Sequence, residues 1–316
     1  RYVPQDGVYI TALGPVADGL TADDAVVTLG LAIAKETGLP LYLMGLNLGL
    51  YQRHRTEGVD VYGGAPGSNE KAIIDWRGPG LDSLYTGVFE AKGEVSPTGV
   101  SVSMASPVGT PFVTVTDASD IYVGDFIVTV PQDPYVSTHA YAQFFSEVVG
   151  KAGNTLRLAY PLNLPLGTDC AVHKVTPARG SISGIHVVGH GQTSRDNGMG
   201  AVLVSHADNF KVSNISSTGL WFKTLAMKFC TFSEADGVST ISPAATGGGE
   251  GYNVQMEYCR HSVVRNARAF FCRHNVDITA SSYVSVKDCY DAYASGVSYT
   301  LHKAYEYKVV FENCKA

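Results

Sequence analysis

"CRHSVVRNARAFFCRHNVDI", residues 259–278, carries Cys-Arg-His twice, with the two starts thirteen residues apart. Reactive residue types in that arrangement admit three readings: a zinc site, a catalytic site, or segments of a repeating scaffold. Period-2 alternation over "CRHNVDI" sends Cys272, His274, Val276 and Ile278 inward and lines Arg273, Asn275, Asp277 and Thr279 along the outer face. By the same rule Cys259, His261 and Val263 point inward in "CRHSV", and Arg260 points out. Cysteine then fills an interior, arginine is displayed, and the histidines are satisfied interior or turn residues. Zinc loses because structural sites want close-spaced ligand pairs, and none of the six cysteines forms Cys-x-x-Cys. No metal and no cofactor is expected, and the cysteines of this region (Cys259, Cys272, Cys289, Cys314) should be reduced and mostly interior.

The surrounding sequence favours the scaffold. Short segments recur from residue 177 onward, among them "SISGIHVVGHG", "NFKVSNIS", "LAMKFCTF", "YNVQMEYC", "YVSVKDC" and "YKVVFENC". Val263, Val286 and Val309 are 23 residues apart each time. Short strands at that period, with polar turns and no helices, are the signature of a β-solenoid, and the leucine-rich consensus is missing. At one strand spacing of ~4.8 Å per coil, residues 177–316 make a rod of about six coils.

Upstream, "LTADDAVVTLGLAIAKETG" reads as a helix over 21–38, with Thr21 and Asp24 as a capping box and Gly38 as the stop. Residues 1–94 are assigned to this cap and the first rungs. Residues 95–176 alternate strand runs with tight turns, "AGNTLRL" being a hairpin tip, and read as a small inserted β module. The class is therefore all-β, a parallel β-helix with an N-terminal capping helix and an inserted β module.

Composition fits that class and excludes others. Charged residues are 16% of the 316, while Gly (34) and Tyr (18) are plentiful, as in turn-rich β proteins with uncharged polar surfaces. The net charge of −6 without a basic block argues against nucleic-acid binding. No apolar run is long enough for membrane insertion. "RYVPQDGVYI" has neither the charged n-region nor the apolar h-region of a signal peptide, so no secretory signal is expected in it.

The chain resembles the right-handed parallel β-helix proteins of the pectate-lyase-like superfamily, and within them bacteriophage tailspike and tail-fibre proteins. The resemblance rests on the opening "ADGLTADDAVVTLGLAIAKETGLPLYLMGLNLGLY", the module "DIYVGDFIVTV…GNTLRLAYPLN", and the rungs "CRHSV", "RHNVDI" and "YTLHKAYEYKVVFENC". The usual Leu-Pro-x-Gly strand ending is replaced here by "LMGLNLGLY". The resemblance implies a virion-borne homotrimer, joined to other tail or baseplate proteins, that binds a bacterial surface polysaccharide and in many cases cleaves it. "YKVVFENCKA" finishes in mid-rung, so further sequence or partner chains are expected to cover that edge.

Cleavage by hydrolysis needs two carboxylates, and elimination from a uronic acid needs a base and a cation. Glu234, Asp236, Glu250, Glu257 and Asp277 are the solenoid acids in suggestive settings, each with the alternative of a solvated rim residue. Outward parity places the site near Arg260, Arg273 and Asn275 as sugar-binding groups. Asp236, Glu257 and Asp277 are the expected catalytic carboxylates, with His302 one coil beyond as proton carrier. The alternative is a non-catalytic glycan-binding or structural fibre; a secreted bacterial polysaccharide lyase is a third reading, disfavoured by the missing signal peptide.

Overall fold

The computed structural model describes residues 6–79, 85–131, 143–302 and 306–316. Among them, 21 strands form one continuous parallel sheet wound into coils, and six further strands close a separate antiparallel barrel. The chain is a parallel β-helix, as its repeats require.

Left-handed corners set the shape of each coil. His206, Phe229, Tyr258 and Ala280 form one column of positive-φ residues, and Asn209, Phe232, His261, Tyr283 and Lys308 a second. A third runs through Asn214, Gly237, Asn266, Asp288 and Asn313. Most of these are not glycine, yet their φ angles cluster near the left-handed α value. The asparagines and the aspartate suit it best, because a short polar side chain compensates the local backbone.

The third column gives coil lengths of 23, 29, 22 and 25 residues. The even 23-residue spacing of Val263, Val286 and Val309 is therefore not the structural register. Val286 pairs with Val264 on one side and Phe311 on the other, while Val263 pairs with Ser285. Loops such as 242–251 absorb the extra residues without disturbing strand stacking. His261 also departs from the inward expectation. Its φ of 48° swings the ring outward, where it stacks on Tyr283 (4.5 Å, 9°) and Phe232 (5.3 Å, 23°).

Four strands, β1 (Lys223–Thr231), β2 (Tyr252–Glu257), β3 (His274–Thr279) and β4 (Tyr299–His302), stack in succession on one side of the solenoid. Inward, Met227, Met256 and Ile278 form one register column and Leu225, Val254 and Val276 another, all fully buried. The core is one apolar cluster running from Val8 to Cys289.

Helix α1 (Asp24–Thr37) packs Val27, Leu31 and Ala34 against that core and covers the first rungs. Gly38 closes it in the left-handed conformation, its N–H donating to the Ala34 carbonyl. The expected capping box does not form. Asp23 instead accepts the Val16 N–H at 2.8 Å, and Asp24 accepts those of Tyr51 and Gln52. These carboxylates tie the helix to neighbouring segments, a use invisible in local sequence.

The barrel comprises Glu94–Met104, Phe112–Val115, Phe126–Pro131, Phe144–Ala152, Thr155–Leu158 and Cys170–Thr176. The chain leaves the solenoid after Phe89–Lys92, which pairs with Val202–Ser205, and rejoins it at Ala178–Gly189. A second apolar cluster fills the barrel, and a third joins Phe126, Phe145 and Leu164 of the barrel to Phe229, Tyr258 and Ala280 of the solenoid. His206 belongs to this junction, stacked on Phe229 at 4.7 Å and edge-on to Phe145.

Two predictions follow from this packing. All six cysteines are free, and only Cys314 is not fully buried. A thiol reagent should therefore titrate at most one group in native protein and six after denaturation; a shortfall in denaturant would reveal a disulfide. Burial lowers the pKa of His206 to about 4, with Lys228 and Lys92 adding to the effect. Between about pH 6.5 and about 4 the unfolded chain holds a proton on this histidine that the folded chain lacks, so its contribution to stability is lost as pH falls. His206→Asn keeps the left-handed corner, and its deficit in urea midpoint relative to the parent should narrow over that window; a constant deficit would contradict the burial.

Candidate functional site

Strands β1 to β4 present three outward register columns. Lys223, Tyr252 and His274 form the first; Ala226, Gln255, Asp277 and Thr300 the second; Lys228, Glu257, Thr279 and His302 the third. Asp277 and Glu257 thus lie diagonally on adjacent coils. A coil spacing of ~4.8 Å and two residues along a strand put their Cα atoms ~8 Å apart.

Asp277 is fully buried, and Gln255 Nε2 donates to its Oδ2 at 2.7 Å. His302 Nδ1 lies 2.7 Å from Oδ1, at ion-pair distance but off the hydrogen-bond direction, and the imidazole is 41% exposed. Burial raises the Asp277 pKa against the opposing pull of His302, Gln255, His274 and Lys223. A carboxyl hidden beneath a histidine with Nδ1 turned inward aims Nε2 away from the carboxyl, the arrangement of an oriented proton carrier. Such pairs commonly align only when substrate is bound.

The neighbours complete a polar floor. Tyr85 donates its hydroxyl to Glu257, and Lys228 Nζ stands 3.7 Å from the same carboxylate. Lys223 is 2% exposed, with its ammonium 4.9 Å from the Tyr85 ring centroid and 5.6 Å from that of Tyr252. Burial brings its pKa down to about 7, with Asp277 pulling the other way. His274 is held neutral chiefly by burial. Its Nδ1–H donates to the Val297 carbonyl, and its Nε2 accepts from Arg273 Nε at 3.2 Å, so its partners fix the tautomer.

The expected site residues fare unequally. Asp277, His302 and Glu257 share the face, and Arg273 reaches its edge, its guanidinium 6.0 Å from the Tyr252 ring. Asn275 does not point outward. The N–H groups of Asn275 and Val276 both donate to the Ser298 carbonyl, which breaks strict alternation. Asn275 turns inward to cap the Ala267 and Tyr290 carbonyls and accept from Asn253, leaving His274 on the outer face.

Arg260 is also no surface group. It is 3% exposed, bonded to Pro161 O, Asn163 Oδ1 and Ser282 Oγ, and stacked 3.8 Å over Phe144. It fastens barrel to solenoid, because its long side chain reaches a module the local sequence does not reveal. Asp236 lies on the neighbouring stack, in Glu234–Asp236, where Asn266 Nδ2 donates to it at 2.7 Å; a corner separates it from Glu257. Lys223, Gln255, Tyr252, His274 and Tyr85 were not anticipated. Offsets of 22 and 29 residues between adjacent strands would have found Lys223, Gln255, Tyr252 and His274, but only with coil lengths in hand; Tyr85 comes from 172 residues before Glu257 and follows no such offset.

A groove of about 1010 Å³ lies elsewhere, between α1 and the first rungs. Four of its charged groups are paired with one another, Arg53 with Glu90 and Lys35 with Glu57.

No protein-family model and no curated protein sequence matches the chain. Solved structures do. The tailspike gp61 of Pseudomonas phage phi297 superposes with a TM-score of 0.65 at 16% identity, over 91% of this chain and 52% of that one. The tailspike gp49 of Pseudomonas phage LKA1 gives 0.55 at 17% identity, over 97% and 59%. The gp54 tailspike of Acinetobacter baumannii phage AP22, solved in complex with A. baumannii capsular saccharide, gives 0.61 at 14% identity, over 98% and 51%. The chain therefore spans only half to three-fifths of these proteins. At these identities the likeness is one of architecture: the chain has the β-helix fold of the phage tailspike proteins.

Proposed function

We propose that the chain is part of a phage tailspike that recognises a bacterial surface polysaccharide on the β1–β4 face and depolymerises it there, acting as a homotrimer at the virion tail with other tail proteins. The observation carrying this reading is the exposed His302 seated on buried Asp277, on a solenoid face lined by Tyr252, Gln255, Glu257 and Arg273. His302 Nε2 is the group placed to exchange a proton with a sugar oxygen or a carbon acid, while Asp277, 2.7 Å from Nδ1, balances the charge of the imidazolium. Arg273 supplies a cation for a sugar hydroxyl or carboxylate.

Two chemistries fit this face. The diagonal placement of Glu257 and Asp277 on adjacent coils offers a pair of carboxyls for hydrolysis. Both carboxyls are nearly inaccessible, however, at 8% and 0% side-chain exposure, which supports a histidine-borne proton transfer over direct attack by the acid pair. The same inaccessibility favours a binding-only spike as the second reading.

The test uses purified surface polysaccharides of Pseudomonas and Acinetobacter strains as substrates. His302→Ala should lower cleavage on the order of 10²–10⁴-fold, and Asp277→Asn should lower it as well, both with binding retained. New reducing ends identify hydrolysis, whereas ultraviolet-absorbing unsaturated ends identify elimination. Cleavage unchanged in both variants would overturn the dyad, and binding without cleavage by the parent chain would establish the non-catalytic spike.

A further inference from the structure

Around the corner from the dyad, a cleft of about 430 Å³ opens between the inserted barrel and the solenoid, lined by Val108, Pro161 and Asn163 on one side and Tyr283, Glu306 and Tyr307 on the other. Its size is at the small end of the roughly 300–1,000 Å³ typical of small-molecule sites. The walls are fixed. Arg260, itself 3% exposed, bonds Asn163 and Pro161 from behind, and Asn163 Nδ2 donates to the Ala280 carbonyl at 3.2 Å. A site built across two modules keeps its shape only if the modules are locked, and this arginine locks them.

The lining has the chemistry of sugar recognition. Tyr307 is 51% exposed and meets Tyr283 edge-on at 5.6 Å, with Lys308 Nζ within 5.4 Å of both rings. A pyranose offers an apolar C–H face to such a ring and a rim of hydroxyls to the phenols and to Glu306. Glu306 accepts the Ala280 N–H at 3.0 Å through one oxygen and lies within electrostatic reach of Asp277 and His302. The cleft follows the proposed catalytic face along the chain: Thr279 ends β3, Ala280 is the corner, and Ser282 and Tyr283 enter the cleft.

We infer that this barrel–solenoid cleft is a second glycan subsite, in which Tyr307 stacks a sugar unit of the same chain whose scissile bond lies at His302, so that the inserted barrel selects the substrate. This rests on the proposed polysaccharide-depolymerase reading and adds a specificity-determining role for a module outside the solenoid. It also accounts for Arg260: the buried guanidinium acts on substrate only through the wall it holds.

The experiment measures binding calorimetrically in the full chain carrying His302→Ala, so that ligand is not consumed. The probes are mild-acid fragments, graded by length, of whichever panel polysaccharide the chain binds. Tyr307→Ala removes the stacking ring, and Val108→Trp fills the cleft from a rim position that is 54% exposed, so neither touches the core. Both should weaken long fragments on the order of tenfold, the loss of one aromatic anchor, and leave the shortest bound fragments unchanged. Parent-like affinity for all lengths in the Val108→Trp chain overturns the subsite while leaving the dyad intact. Absence of any polysaccharide binding by the unmodified chain overturns the subsite and the functional reading together.

Discussion

Backbone hydrogen bonding from coil to coil is the constraint from which the rest of the molecule follows. In a parallel β-helix every strand must meet the same partners above and below, so corner positions, not strand sequences, decide which residues share a column. The left-handed residues at positions such as Asn214, Gly237, Asn266, Asp288 and Asn313 keep those columns aligned while coil length varies from 22 to 29 residues. Loops can therefore grow at corners without register cost, and the barrel is the largest such excursion. Backbone geometry thus leaves the outer columns free to carry chemistry.

On the β1–β4 face that freedom is used to stack polar groups at one coil spacing. The consequence is mutual desolvation: Asp277 is hidden by its neighbours and its pKa rises, Lys223 loses water and its pKa falls to about 7. The proposed proton transfer draws on this displacement of groups toward neutrality in opposite directions within one face. The exposed end of this arrangement is His302, and in the proposed site it links the buried Asp277 to the surface.

Much of the fold was legible because alternation and recurrence report directly on strands and stacking. Cys259, Cys272, Val276 and Ile278 face inward as alternation dictates. Alternation failed where the backbone is not extended. The left-handed His261 shifted the inward position from Val263 to Val264, and the doubly accepting Ser298 carbonyl moved Asn275 inward and His274 outward. Of the candidate site, Glu257, Asp277, Arg273 and His302 were accessible to sequence reasoning as outward polar residues. Arg260 and Asp236 were not separable from them, since one is claimed by the barrel and the other lies past a corner. Lys223, Tyr252 and Gln255 stayed hidden because their membership depends on coil lengths that loops set.

The account makes the β1–β4 face, and the cleft that follows it along the chain, the path of the polysaccharide. A crystal structure of the His302→Ala chain with a bound oligosaccharide tests that most directly. The account predicts sugar over the position vacated by His302, within contact of Asp277's immediate neighbours, and running past Thr279 toward Tyr307. Sugar bound in the groove beside α1, or on the stack carrying Asp236, with the β1–β4 face empty, would contradict it.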